Sequence, residues 1–198
     1  MWSLYLQTRA MSRNELTPFS YTVLTLVGEG GAGPHDFVRM MRQGRIYWTG
    51  AESHFYAEPK RLERLGYLTS RKEPGKTRER THYTLTDSGR EALRAWVAEP
   101  ATLPRMQHEA VVKLLAADLV DDAVVLESLT AMRADIADAA ARLDVAEAVA
   151  ATLPHRERYL RLVHALGRRI LAAHLAWLDE VERELGPRKG SGKGRSLR

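Results

Sequence analysis

Cysteine is absent from the 198 residues. That removes disulfides, thiolate chemistry and any zinc site built on sulfur, and it suits a reducing compartment. No apolar run approaches the length needed to cross a bilayer, and the opening MWSLYLQTRA lacks the longer apolar segment of a secretion signal. The expectation is a cytoplasmic protein with no membrane partner. Catalytic signatures are missing too: there is no Gly-x-Ser-x-Gly, no His-Glu-x-x-His and no arrangement of paired carboxylates. The glycine-rich run Gly28 to Gly33 leads into Pro34-His35 rather than Gly-Lys-Ser/Thr, so it is not a phosphate loop. His155, His164 and His174 share a helical segment, but neither interval is the i, i+3 or i, i+4 spacing that puts two ligands on one metal, and His174 falls in an apolar stripe. No enzyme, metal or cofactor is expected.

What is present is ordinary for a folded chain, 44% hydrophobic and 28% charged, enough for one substantial core or two small ones. The net charge of +5 is located rather than spread: residues 187–198 hold Arg188, Lys189, Lys193, Arg195 and Arg198 and no acid, which leaves the rest formally neutral. This Gly-, Ser-, Lys- and Arg-rich tail reads as disordered, either solubilising or adding nonspecific phosphate contacts. The high isoelectric point alone is therefore no argument for nucleic acid.

The local distribution is such an argument. Between Ser53 and Arg90 an amphipathic helix carries Phe55, Leu62 and Leu65 on one side and His54, Lys60, Arg61 and Arg64 largely on the others. Gly66 ends it. Tyr67 to Arg71 and Arg80 to Leu85 then alternate apolar with polar residues, and Pro74-Gly75 turns the chain between them. Arg71, Lys72, Lys76, Arg78 and Arg80 face only Glu73 and Glu79 there. A cationic helix feeding a cationic ribbon is the shape of a winged helix, with the helix in the major groove and the ribbon on neighbouring phosphates. The candidates for base reading are Ser53, His54 and Lys60, with Arg61 or Arg64 on phosphates. Lys76 and Arg78 at the ribbon tip are better placed than Arg71 or Arg80 to enter the minor groove. Tyr56 is read either as a phosphate donor with a packed ring or as a half-buried core aromatic. Ion pairing of Glu58 and Glu63 with Arg61 and Arg64 is the competing reading for those arginines.

YAEPKRLERLGYL, the basic hairpin and HYTLTDSGREALRAW together resemble the PadR family of bacterial transcriptional regulators, through Tyr56, Leu62-Glu63, Gly66, Tyr83, Leu85-Thr86 and Gly89. The resemblance is close over Leu16 to Pro100 and architectural beyond. It implies a homodimeric repressor of operator DNA that often responds to a small, frequently aromatic, effector, with Trp96 as an aromatic linker on which a planar effector stacks in some members. Packing is the alternative role for Trp96. The chain departs from the pattern at Pro34-His35, where the family usually has glycine and an aromatic, and this weighs against a phosphate contact at the start of that helix.

Along the chain, Thr17-Pro18 opens a first helix with Tyr21, Leu24 and Val27 or Gly28 on one face. Pro34 to Gln43 forms a second, with Phe37, Met40 and Met41 apolar. The recognition helix is expected from about Glu52 or Ser53 to Leu65, bent at Pro59. Arg45 and Trp48 precede it, the arginine split between phosphate and packing roles. Thr86 or Ser88 caps a fourth helix through Trp96 and Val97. Pro100 to Pro104 divides a winged helix-turn-helix domain, residues 11–100, from a helical dimerisation domain, residues 101–186. That second domain is read as a short helix from about Arg105 to Leu119, a long helix capped by Asp121, and a last helix after Pro154. Val125, Leu129, Met132, Ile136, Ala139, Leu143, Ala146, Ala150 and Leu153 step by four and three, a coiled-coil seam. The apolar stripe of the last helix is wider than one neighbour needs, which calls for a second subunit. A mainly α chain with a winged α+β head and an antiparallel helical dimerisation domain is therefore expected, acting as a dimeric repressor. The alternative is a winged-helix protein-interaction module that does not bind DNA.

Overall fold

The computed structural model describes residues 16–43, Tyr47, 51–74 and 79–187. They form two compact units that divide between Leu103 and Pro104. The first contains α1 (Pro18–Val27), α2 (Pro34–Gln43), α3 (His54–Arg64), β1 (Leu68–Glu73), β2 (Arg80–Leu85) and α4 (Asp87–Val97).

Helix α1 begins as its sequence dictates. The Thr17 hydroxyl accepts from the Ser20 N–H, Ser20 returns the bond to the Thr17 N–H, and Pro18 sits in the first turn where no donor is lost. Its inward face differs from the expected one: Ser20, Val23, Leu24 and Val27 are buried, and Tyr21 is only half-buried because its ring lies on Trp96. Phe37 of α2, Leu62 of α3, Leu68 of β1 and Tyr83 of β2 join Val23 and Leu24 in the core, with Met40 and Met41 packed beside them. Each such side chain contributes ~1.5–3 kcal/mol on burial.

The glycine-rich loop has a structural purpose. Ala32 and Tyr83 exchange both backbone bonds, at 3.0 and 2.9 Å, so the loop lays a third short strand segment along β2. Gly31 has φ +72, and a Cβ there would overlap the His82 ring. Helix α3 is continuous through Pro59, which is buried and faces inward with Phe55 and Leu62. It leaves by a left-handed Gly66 (φ +82), with Gly66 N–H bonded to Glu63 O and Tyr67 N–H to Leu62 O. The hairpin is antiparallel, Leu68 opposite Leu85 and Glu73 opposite Arg80. Of the two proposed caps of α4 it is Thr86 that acts, accepting from the Gly89 N–H at 3.0 Å. Gly89 itself passes so close to the Tyr67 carbonyl that no side chain would fit.

The second unit holds α5 (Glu109–Leu115), a 3-10 turn (Ala117–Leu119), α6 (Asp122–Thr130), α7 (Met132–Ala150) and α8 (Pro154–Leu185). Helix α5 starts later than expected: Leu103 and Met106 have nothing to pack on, and His108 takes the capping position, its Nδ1 accepting from the Val111 N–H. Asp121 stands at the start of α6 without a capping bond from its side chain. The long helix is broken at Ala131. There the Thr130 hydroxyl bonds back to the Leu126 and Glu127 carbonyls, and the Ala131 N–H reaches Glu127 O at a stretched 3.4 Å. The seam survives the break. Val125, Leu129, Ile136, Ala139, Leu143, Ala146 and Ala150 are all buried, and α7 runs along α8 through small residues that allow close approach. Arg133 holds Asp179 and Glu182, and Arg168 holds Asp144 and both oxygens of Glu147, tying α7 to α8 at two points.

Candidate nucleic-acid interface

The interface is built on α3. Phe55, Pro59 and Leu62 recur at helical spacing and are buried, which turns Ser53, His54, Tyr56, Lys60 and Arg64 outward, all exposed. Among the described residues Lys60 and Arg64 make no hydrogen bond or ion pair. Ser53 occupies the capping position but its hydroxyl caps nothing, so it too is open. The His54 ring meets Phe19 edge-on at 5.9 Å, which fixes its plane at the start of the helix.

Arg61 is placed differently. Its guanidinium bonds Glu58 at 3.0 Å, and the same carboxylate oxygen accepts from the buried Ser20 hydroxyl at 2.6 Å. This tie joins α1 to α3 and sets the rotation of the recognition helix. Glu63 is likewise engaged, accepting from Ser70 of β1 at 2.6 Å. Both acids of α3 therefore serve the fold, and the outward face keeps its cations uncompensated.

On the hairpin, Glu73 is a hub for Arg71 at 2.7 Å, Arg80 at 3.5 Å and His82 at 3.7 Å. The hydrogen bond from Arg71 and the charges of His82 and Arg80 hold its carboxyl below the usual range. Arg71 and Arg80 are thus engaged at the loop end of the paired strands, and Lys72 donates to the Thr81 hydroxyl at 3.0 Å. Lys76 and Arg78 of the tip, like Arg45, Trp48 and the basic tail from Arg188, lie outside the described residues.

Sequence reading missed a second row of cations. His35, Arg39 and Arg42 recur on one face of α2 at i, i+4 and i+7 and, with Val38, Glu52 and Tyr56, line an open cleft of about 450 Å³ between α2 and α3. That spacing was the available signal. The Tyr56 hydroxyl lies 3.3 Å from His35 Nδ1, and Tyr56 is exposed rather than packed in the core. Trp96 stacks on Tyr21 with planes 5° apart and centroids at 4.7 Å, and is 39% exposed. Burial, with Glu99 adding to it, pushes the Tyr21 phenol up. In the second unit His174 is half-buried with its Nε2 2.9 Å from that of His108, Trp177 standing edge-on to the pair. His164 is buried. Among the described residues no group of three His, Cys, Asp or Glu could hold a metal, and no helix is long and apolar enough to cross a membrane.

A helix-turn-helix with an open cationic face, followed by a basic hairpin and a helical second unit, defines the class of winged-helix DNA-binding proteins. Residues 39–95 match the transcriptional regulator PadR-like family, and residues 106–186 match the family described as virulence activator alpha C-term. The first unit thus carries a domain of the PadR-like family of transcriptional regulators. The chain is 27% identical over 175 residues to the negative transcriptional regulator PadR of Bacillus subtilis, spanning 81% of this chain and 93% of that one. The fold is similar to that of Bacillus subtilis PadR in complex with operator DNA, with a TM-score of 0.73 at 21% identity over 86% of this chain and 98% of that one. The same Bacillus protein in complex with p-coumaric acid gives 0.55 at 20% identity, over 82% and 98%. The Vibrio cholerae virulence activator AphA gives 0.66 at 23% identity, over 84% and 96%.

Proposed function

We propose that the chain is a homodimeric, sequence-specific repressor that occupies an operator and releases it on binding a small aromatic effector. The observation that carries this reading is the outward face of α3, where Lys60 and Arg64 have no partner among the described residues while Glu58 and Glu63 are engaged by Ser20 and Ser70. Ser53, His54 and Lys60 read base edges, Lys60 by donating to guanine O6 or N7. Tyr56 and Arg64 hold phosphates, Lys76 and Arg78 extend the contact from the hairpin tip, and Arg61 acts indirectly by keeping Glu58 and hence α3 in place.

Support for the dimer comes from the second unit, which leaves Val112, Leu115 and Leu119 near α5 and Leu162, Val163 and Leu166 on α8 exposed. Apolar residues in such number call for a partner, and a second copy supplies it symmetrically. Two copies of α3 would then meet successive major grooves of a palindromic site. For the effector, support comes from Trp96, held flat by Tyr21 and partly open, and from the p-coumaric acid complex of the Bacillus protein. An effector that alters the spacing of the two recognition helices would mismatch them to the grooves.

A mobility-shift assay with the intergenic DNA upstream of the chain's own gene tests the reading. Retardation that is weakened by Lys60→Ala with Arg78→Ala, with the dimer intact, is the expected result. No retardation of any upstream duplex would point instead to a winged-helix module that binds protein.

A further inference from the structure

The cleft between α2 and α3 contains a proton arrangement that the DNA reading leaves unused. His35 and Tyr56 come from different helices, both are exposed, and their rings meet edge-on with planes at 86° and centroids 5.8 Å apart. Only one hydrogen lies between the phenol oxygen and His35 Nδ1, and which atom owns it decides what Tyr56 can do. If Nδ1 accepts, the phenol proton is consumed inside the pair, and the oxygen can only accept from outside. A phosphate oxygen also only accepts, so the two would repel. If Nδ1 carries the hydrogen, the imidazole donates to the phenol oxygen and the Tyr56 O–H is released to donate outward. The imidazolium enforces this second state and adds an outward Nε2–H and a positive charge.

Resting on the reading that α3 faces DNA, we propose that His35 is the positioning residue for Tyr56 at a backbone phosphate, and that protonation of His35 strengthens DNA binding. The other charged groups of the cleft leave room for that charge to matter. On α2, Asp36 accepts from Arg39 at 2.8 Å and from the Gly33 N–H at 3.1 Å. Ahead of α3, Glu52 accepts from Arg42 at 2.7 Å. Each carboxylate has its own arginine, and neither bonds His35. The remaining charged or titratable groups on the outward side of α3, besides Tyr56 itself, are His54, Lys60 and Arg64. Arg39 and Arg42 are themselves exposed, and surface pairs of this kind are worth only ~0–1 kcal/mol, so a phosphate entering the cleft can draw both guanidinium groups toward it.

The test is the affinity of the full chain for a short fluorescent duplex of its upstream intergenic DNA between pH 5.5 and 8.5, at fixed salt. Wild type should tighten by about tenfold toward acid, one unit of linked proton uptake. His35→Gln should remove that dependence while binding at the alkaline end, Tyr56→Phe should bind more weakly and with a flatter profile, and His155→Gln, in the second unit, should keep the slope. The His35 ring signals in an NMR titration should stay protonated to higher pH with duplex present than without it. A wild type that binds DNA with a flat profile, or a His35→Gln variant that keeps the slope, overturns the proposal alone. A wild type that binds no duplex at any pH overturns the DNA reading beneath it, and the proposal with it.

Discussion

The two units use charge in different ways. In the second unit each clamping arginine is saturated: Arg133 and Arg168 grip two carboxylates apiece across the α7–α8 pair, and those bonds hold the arginines above even their usual range. In the first unit the acids of α3 are engaged by Ser20, Arg61 and Ser70, and Lys60 and Arg64 stand outward without partners among the described residues. Charge fastens both units, and on the outward face of α3 it also stands open to a ligand. Apolar residues are distributed the other way round. The first unit buries Phe37, Leu62, Leu68 and Tyr83 in its own core, while the second exposes Leu115 and Leu166. A cationic face seeks an anion and an apolar face seeks its like, and on this contrast rests the proposal of DNA at the first unit and a second copy at the second.

The largest effect that would break this contrast concerns the apolar side. Leu115→Glu with Leu166→Glu should leave a folded monomer by sedimentation and weaken DNA binding by about 10²- to 10⁴-fold, the avidity that pairing two weak sites provides. A variant that remains dimeric would remove the apolar face from the account. Next, Leu62→Ala, deleting a fully buried side chain of α3, should cost ~2–5 kcal/mol in denaturant unfolding of the first unit. Glu58→Ala should cost less, ~1–3 kcal/mol, because it takes the charged acceptor from the buried Ser20 O–H and frees Arg61; an unchanged midpoint would mean that the tie does not set α3. The smallest effect belongs to acid. The hydrogen bond from Arg168 holds the Glu147 carboxyl below its usual range, so its contribution is complete above the unfolded value of about 4.3 and is lost as pH falls through the lower folded one. Glu147→Gln should therefore lower stability slightly at neutral pH, leave it nearly unchanged at acid pH, and so flatten the acid limb of the curve.

Features legible in the chain were those decided locally. Thr17-Pro18, Gly66, the Thr86 cap and the strands flanking the hairpin all depend on neighbours within a few residues, and periodicity marked the seam from Val125 to Ala150. What escaped needed distant partners. The bond from Ser20 to Glu58 joins residues far apart in the chain. The strand-like use of Ala32 depends on Tyr83, and the break at Ala131 depends on a threonine hydroxyl competing for carbonyls that the heptad pattern takes no account of. For the site, the exposed cations of α3 followed from helical spacing alone. The His35–Tyr56 contact did not, since it requires the crossing of two helices.

The most direct measurement of the central claim is the salt dependence of duplex binding by wild type and by a Lys60→Ala, Arg64→Ala variant. Each cation that meets a phosphate contributes about 0.9 to the slope of log affinity against log salt concentration. The account predicts a dimer of unchanged stability whose affinity falls and whose slope is shallower by roughly one to two. Affinity and slope equal to those of wild type would contradict it, because the open face of α3 would then not be the face that meets DNA.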